Sequence, residues 1–110
     1  MWLCTQFGFY SIVQKRPGEY HVRARLKQDL VNLKDLCAMK WTLHRSAPPA
    51  DYRWRLVVTE RDIGQILECL SAPVNLEYSN FKSRISTSPD QRDKSHAYGQ
   101  LWSNLHALQT

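Results

Sequence analysis

The segment DYRWRLVVTE, residues 51–60, constrains the fold most, because it combines a strand pattern with a helix-start signal. Its alternation predicts an inward face of Tyr52, Trp54, Leu56 and Val58, and an outward face of Arg53, Arg55, Val57 and Thr59. Thr59 followed by Asp62 is a capping-box pattern, in which each side chain satisfies a backbone N–H of the other residue. A strand therefore leads directly into a helix and carries two arginines on its outward face.

Upstream, the same reasoning predicts two strands, a helix and a third strand. Trp2 to Lys15 is rich in aromatic and β-branched residues, with Gly8 as a bulge or a point of close backbone approach. The turn Arg16–Glu19 places Gly18 where positive φ is required. Strand 20–27 alternates Tyr20, Val22, Ala24 and Leu26 inward with His21, Arg23, Arg25 and Lys27 outward; helix 28–38, strand 39–45 and the linker 46–50 follow.

Downstream of the central strand, the pattern becomes helical. Ile63, Ile66, Leu67 and Leu70 form an i, i+3, i+4, i+7 stripe on a helix that ends before Pro73. Residues 74–84 are ambiguous, and Ser79 is a candidate cap for a short helix. A C-terminal helix is predicted at about 89–108, with Ser88 as N-cap and Pro89 in its first turn. Its apolar stripe predicts that Trp102 is buried.

This order predicts a single α+β domain over residues 1–110, since a chain this short cannot support two cores. The expected architecture is a four-stranded, mainly antiparallel sheet with helices on one face, ββαββα plus the C-terminal helix. It corresponds to a circularly permuted ferredoxin-like arrangement. The alternative is two ββα halves that meet differently.

Five segments together resemble a family of small bacterial proteins of unknown function: WLCTQFGFYSIVQK, VRAR, DYRWRLVV, EYSNFK and HAYGQLW. Asn75–Tyr78 departs from the more acidic run expected before the tyrosine. The resemblance implies a cytoplasmic single domain and no particular activity. It also singles out six positions, with an expected role in packing the C-terminal helices onto the sheet: Tyr78, Asn80, Phe81, Lys82, Tyr98 and Trp102.

The strongest functional signal is a cluster of positive charge on the outward side of the sheet. The alternation places eight residues there, here called the basic face: His21, Arg23, Arg25, Lys27, Lys40, His44, Arg53 and Arg55. No acidic residue lies within the three predicted strand segments, and like charges on neighbouring strands repel. Phosphate is a typical ligand for such arginines. Phe7 with Phe9, or Trp2 with Tyr10, could supply rings for stacking bases. Alternatively, the cations are solvated, paired with loop carboxylates, or covered by another subunit.

The remaining signals argue against several function classes. The chain has no phosphate-binding glycine loop, no metal-spaced Cys or His motif and no nucleophile motif, so we expect no enzyme activity, catalytic centre, metal or cofactor. We expect neither a signal peptide nor a membrane span, and the three cysteines as reduced thiols of a cytoplasmic protein. With a net charge of +5, the chain is predicted to be a non-enzymatic module that binds nucleic acid or another polyanion. The alternative is a protein-interaction or structural subunit, a homo-oligomer included, that uses the sheet face or the C-terminal helix.

Overall fold

Five strands form one antiparallel sheet, and five helices complete an α+β fold, in a computed structural model that describes residues 1–109. The strands are β1 (Trp2–Cys4), β2 (Phe9–Arg16), β3 (Glu19–Ala24), β4 (Leu43–Arg45) and β5 (Trp54–Val58). The helices are α1 (Lys27–Cys37), α2 (Glu60–Leu70), α3 (Pro73–Leu76), α4 (Tyr78–Thr87) and α5 (Arg92–His106). The sheet order is β1-β2-β3-β5-β4, so β3 lies at the centre and β5 joins it to β4.

The core lies between one face of this sheet and the helices α1 and α2. Alternate residues of the three inner strands meet apolar residues of both helices because the two-residue period of a strand directs every second side chain to one face. The buried cluster consists of Tyr10, Ile12, Val22, Ala24, Leu30, Leu33, Cys37, Leu56, Val58 and Ile66. The predicted alternation of the second and central strands is confirmed at the core positions Val22, Ala24, Leu56 and Val58.

The junction between β5 and α2 has the predicted capping box. Thr59 Oγ1 accepts a hydrogen bond from the backbone N–H of Asp62 at 3.3 Å, and Asp62 Oδ2 accepts one from the backbone N–H of Thr59 at 2.9 Å. Both groups are donors that a helix start leaves without an intrahelical partner. The predicted turn after β2 is also confirmed, since Gly18 adopts φ +78° between the paired ends Arg16 and Glu19.

The predicted first strand over Trp2–Lys15 is wrong, and the sheet has five strands rather than four. The chain reverses at Thr5–Gly8, so that β1 pairs with β2 in a hairpin. Thr5 Oγ1 accepts hydrogen bonds from the backbone N–H groups of Phe7 and Gly8, both at 3.1 Å, and thereby closes the turn. Gly8 is required by a close side-chain contact, because a Cβ built there would lie 2.6 Å from Asp29 Cβ.

Three other predicted boundaries are wrong. The second strand ends at Ala24 instead of Lys27, which leaves Leu26 at the N-cap of α1 and exposed. The third strand covers only Leu43–Arg45 of the predicted 39–45. The C-terminal helix begins at Arg92 because Ser88 and Gln91 close a turn, with Gln91 N–H bonded to Ser88 O at 3.0 Å. In the ambiguous segment, the short helix α4 starts at Tyr78 without a Ser79 cap.

Side chains from the C-terminal half hold the Thr5–Gly8 turn by its backbone. Three successive carbonyls each accept a hydrogen bond at 3.0 Å: that of Thr5 from Tyr98 Oη, that of Gln6 from Arg84 Nε, and that of Phe7 from Gln91 Nε2. The Tyr98 ring also stacks on Phe81, with centroids 6.2 Å apart. Two residues singled out by the family resemblance, Tyr98 and Phe81, therefore lie where the C-terminal helices attach to the hairpin.

A buried ion pair lies beside this turn. Asp29 Oδ1 and Lys94 Nζ are 2.7 Å apart and form an ion pair, although the angles do not meet those of a hydrogen bond. Both side chains are almost fully buried. Asp29 Oδ2 also accepts the backbone N–H of Phe9 at 3.2 Å, which ties α1 to the start of β2. A buried carboxylate needs such partners, since burying an unpaired charge is very costly.

The prediction that Trp102 is buried is wrong. Its side chain is 66% exposed and stacks on His106 along the same helix, and Tyr78 is likewise exposed. The second half of α5 therefore presents an apolar stripe to solvent. Over residues 1–109, no helix is both long and apolar enough to cross a membrane.

Candidate anion-binding sheet face

Two arginines face each other at the centre of the sheet, on the side away from α1 and α2. Arg23 of β3 pairs directly with Arg55 of β5 in the strand register. The same register extends across the whole sheet, and the resulting cross-strand row is Trp2, Ser11, Arg23, Arg55 and His44. Side chains that are directly opposite in antiparallel strands have Cβ atoms about 5 Å apart, so the two arginine side chains leave the sheet from neighbouring positions.

Arg55 is oriented by a short polar chain along β3. Its Nη1 lies 3.1 Å from His21 Nδ1, and His21 Nε2 lies 3.0 Å from Glu19 Oε2. Since a guanidinium can only donate, Nδ1 of His21 is the acceptor and Nε2 donates to the carboxylate. The strand β3 begins at Glu19, one residue before the predicted start, and therefore brings an acidic group to the edge of the basic face.

Arg23 is fixed by Ser11 and Tyr52. Its Nη2 donates a hydrogen bond of 2.8 Å to Ser11 Oγ, and its guanidinium carbon lies 4.5 Å from the centre of the Tyr52 ring. The guanidinium of Arg25 lies at the same distance from that ring. Tyr52 is buried as predicted, at 5% exposed, but the chain bends before β5 and its ring packs against these two arginines outside the main core cluster.

The two central guanidinium groups retain unused hydrogen-bonding capacity. The Nε atoms of Arg23 and Arg55 are buried and have no hydrogen-bond partner within the described chain. Neither arginine forms an ion pair with a carboxylate among residues 1–109. The sheet therefore holds two arginines at directly opposite positions without a carboxylate partner, and like charges at such positions disfavour the pairing.

The other predicted members of the basic face occupy different places. His44 is exposed in β4 opposite Arg55, Arg25 follows the end of β3, and Arg53 is exposed just before β5. Lys27 and Lys40 do not belong to the face. Lys27 begins α1, where its Nζ lies 5.5 Å from the ring of Trp54, a residue packed on the core, and Lys40 lies in the segment before β4.

Neither of the two aromatic pairs predicted to stack bases is found on the basic face. Tyr10 is in the core, and Phe7 is half-buried in the turn, with the Arg84 guanidinium 5.1 Å from its ring centre. Trp2 and Phe9 instead lie together at one end of the face, in an edge-to-face contact with centroids 5.8 Å apart. Sequence reasoning missed this pairing because it depends on the reversal at Thr5–Gly8, whose signal is Thr at the first turn position and Gly at the fourth.

The three cysteines lie in three different environments. Cys37 is buried in the core, Cys69 is half-buried on α2 and Cys4 is exposed, and all three are free thiols. Burial, followed by the neighbouring Cys69 thiol, raises the pKa of Cys37 to about 12, which keeps this thiol protonated and unreactive. Within residues 1–109, no three His, Cys, Asp or Glu side chains are grouped as metal ligands. Comparison with protein-family models, curated proteins and solved structures finds no match for this chain.

Proposed function

We propose that this protein is a non-enzymatic module that binds the phosphates of single-stranded nucleic acid on the basic face, through Arg23 and Arg55. The observation that carries this proposal is the direct cross-strand pairing of the two arginines without a carboxylate partner in the described chain. A phosphate bound between the two arginines would place a negative charge beside both guanidinium groups and remove the cost of their unneutralised charge.

The surroundings of the pair favour recognition of the backbone rather than of particular bases. The ring nearest the arginines, Tyr52, is already covered by the guanidinium groups of Arg23 and Arg25, so a base cannot stack on it. Arg53, two residues before Arg55 in the chain, is a further exposed positive charge. Binding by such a face depends on charge, tolerates most sequences and weakens as salt rises.

The proposal includes a permuted ferredoxin-like topology and a cytoplasmic location. The two strands that lead directly into α1 and α2, β3 and β5, are neighbours inside the sheet, and their hairpin partners β2 and β4 flank them. That arrangement supports a circular permutation of the ferredoxin-like order, with β1 added at one edge. The three free cysteines support a reducing compartment.

The deciding experiment compares Arg55→Glu with Arg61→Glu, which makes the same charge change on an exposed position of α2. Fluorescence anisotropy with labelled single-stranded RNA and DNA at low salt measures binding. We expect Arg55→Glu to abolish binding and Arg61→Glu to weaken it only slightly. Wild-type protein without detectable binding at low salt, or an equal effect of both substitutions, would contradict the proposal.

The stability of the same two variants gives a second readout. Glu at position 55 would face Arg23 and adjoin His44, so an opposite-charge pair would replace a like-charge pair. Cross-strand pairs contribute roughly 0.2–1 kcal/mol, so Arg55→Glu should melt at or above the wild-type temperature in low salt. A variant that loses binding without losing stability has lost a binding residue, whereas loss of the fold would count against the like-charge repulsion inferred for this pair.

A further inference from the structure

The second half of α5 and the turn after it expose three large apolar residues, here called the ridge: Trp102, Leu105 and Leu108. Their side chains are 66%, 55% and 77% exposed. The indole of Trp102 is held in place by stacking on the imidazole of His106, with centroids 5.0 Å apart and planes 6° from parallel. A single exposed apolar residue is ordinary, but an aligned set with an ordered tryptophan marks an interaction surface.

The first half of the same helix forms one wall of an apolar groove of about 460 Å³. The opposite wall comes from the β1–β2 hairpin and the residue before α1. The apolar residues that line the groove are Trp2, Phe9, Leu26, Ala97, Tyr98 and Leu101. Four charged residues line it as well, the ion-paired Asp29 and Lys94 together with Arg25 and Asp93. Trp2 is 64% exposed and Leu26 is 50% exposed, so much of this lining is in contact with solvent.

The charge pattern identifies the kind of partner. No Asp, Glu, Lys or Arg occurs from Ser95 to Thr110, although 23% of the whole chain is charged. A polyanion would find no cation on the ridge. Two copies of this chain each carry a net charge of +5 and repel one another, so the charge-free ridge is the surface on which a second copy can approach at the lowest electrostatic cost.

We infer that two copies of this chain associate through α5, with the Trp102–Leu105 part of each ridge lying in the apolar groove of the other copy. Because the ridge and one wall of the groove belong to the same helix, a dimer with a single two-fold axis would place each ridge in the groove of the other copy. At their exposed fractions, Trp2, Leu26, Trp102 and Leu105 present roughly 500 Å² of surface, more than half of the about 800 Å² per partner of a standard interface. Trp2, Phe9 and Arg25 belong both to the groove and to one end of the basic face, so the dimer would cover that end of the face.

Sedimentation equilibrium over a concentration series, in buffer with high salt and nuclease, tests this inference without interference from nucleic acid. We expect a dimer that persists in high salt, because an apolar interface is insensitive to screening. Trp102→Ala should raise the dissociation constant by at least about 30-fold, the effect of losing a hot-spot tryptophan. Its monomer should retain the wild-type fold, since the side chain is exposed.

A second variant tests the groove and keeps the fold. Leu26 is the N-cap of α1 and makes no side-chain cap, so Leu26→Asp supplies a favourable cap while placing a charge in the groove. We expect this variant to be monomeric and at least as stable as wild type. Leu76→Ser, at an exposed position on α3, is the control and should remain dimeric. Monomeric wild-type protein, or dimers in both the Trp102→Ala and Leu26→Asp variants, would overturn the inference.

Discussion

Replacing Gly8 by alanine tests the contact that positions the β1–β2 hairpin against α1. The new Cβ would lie 2.6 Å from both Cβ and Cγ of Asp29, whereas unstrained carbon atoms are about 3.5–4 Å apart. Asp29 cannot easily move away, because its carboxylate holds the Phe9 N–H at 3.2 Å and the Lys94 ammonium at 2.7 Å. Either the backbone at Gly8 shifts or these polar contacts lengthen.

The expected cost follows from these contacts. Overpacking costs about 1–3 kcal/mol, a weakened hydrogen bond to a charged group about 1.5–3 kcal/mol, and the alanine returns about 0.4–1 kcal/mol by restricting the unfolded chain. We therefore expect Gly8→Ala to lower the free energy of unfolding by about 2–4 kcal/mol, and the Tm by roughly 10 °C or more.

Urea and thermal unfolding of Gly8→Ala alongside Gly64→Ala measure this effect. Gly64 lies within α2, and a Cβ added there would meet no atom within 4 Å, so its alanine variant should gain about 0.5–1 kcal/mol. Opposite signs for the two variants are the expected result. A Gly8→Ala protein as stable as wild type would refute the packing of Asp29 against the turn.

Three further predictions concern polar groups that hold the fold. Lys94→Met should destabilise the protein by about 3–5 kcal/mol because it leaves the Asp29 carboxylate buried without its cation, and Asp29→Asn in the same chain should recover part of that loss in urea melts. Thr59→Ala should cost about 1 kcal/mol, and an unchanged melting curve would count against the capping box. Burial, followed by the nearby Cys4 and Asp29, raises the pKa of Tyr98, so the folded state retains a proton that the unfolded state releases near pH 10. The contribution of the Tyr98 hydroxyl to the free energy of unfolding should therefore be constant below about pH 10 and decrease above it. In unfolding curves measured at alkaline pH, Tyr98→Phe should lose stability less steeply with rising pH than the wild type does.

Local patterns predicted the parts of this fold that depend on neighbouring residues. Alternation identified the inward residues of β3 and most of β5, and the Thr59–Asp62 pattern identified the start of α2. The hairpin β1–β2 was missed because its turn is held by hydrogen bonds to side chains as far as 93 residues away, such as Tyr98 Oη to Thr5 O. Such contacts have no period in the sequence.

At the candidate sites, too, the sequence pattern predicted which residues share a face but not which residues contact one another. The alternation of the two arginine-bearing strands placed Arg23 and Arg55 on one face, but only the register reveals that they are directly opposite. The alternation predicted that Tyr52 is buried, but it did not predict that the buried ring lies against the guanidinium groups of Arg23 and Arg25. Similarly, the stripe on α5 indicated an amphipathic helix, but the pattern cannot tell whether a side chain such as Trp102 is covered by its own chain.

The salt dependence of oligonucleotide binding tests the central claim most directly. Anisotropy titrations at several salt concentrations give the slope of log K against log salt for the wild type and for the Arg23→Gln, Arg55→Gln double variant. If both arginines contact phosphates of a single strand, the slope should become shallower by roughly 1.4, about 0.7 for each lost contact. An unchanged slope in a folded double variant, or wild-type binding that does not vary with salt, would contradict phosphate recognition by the basic face.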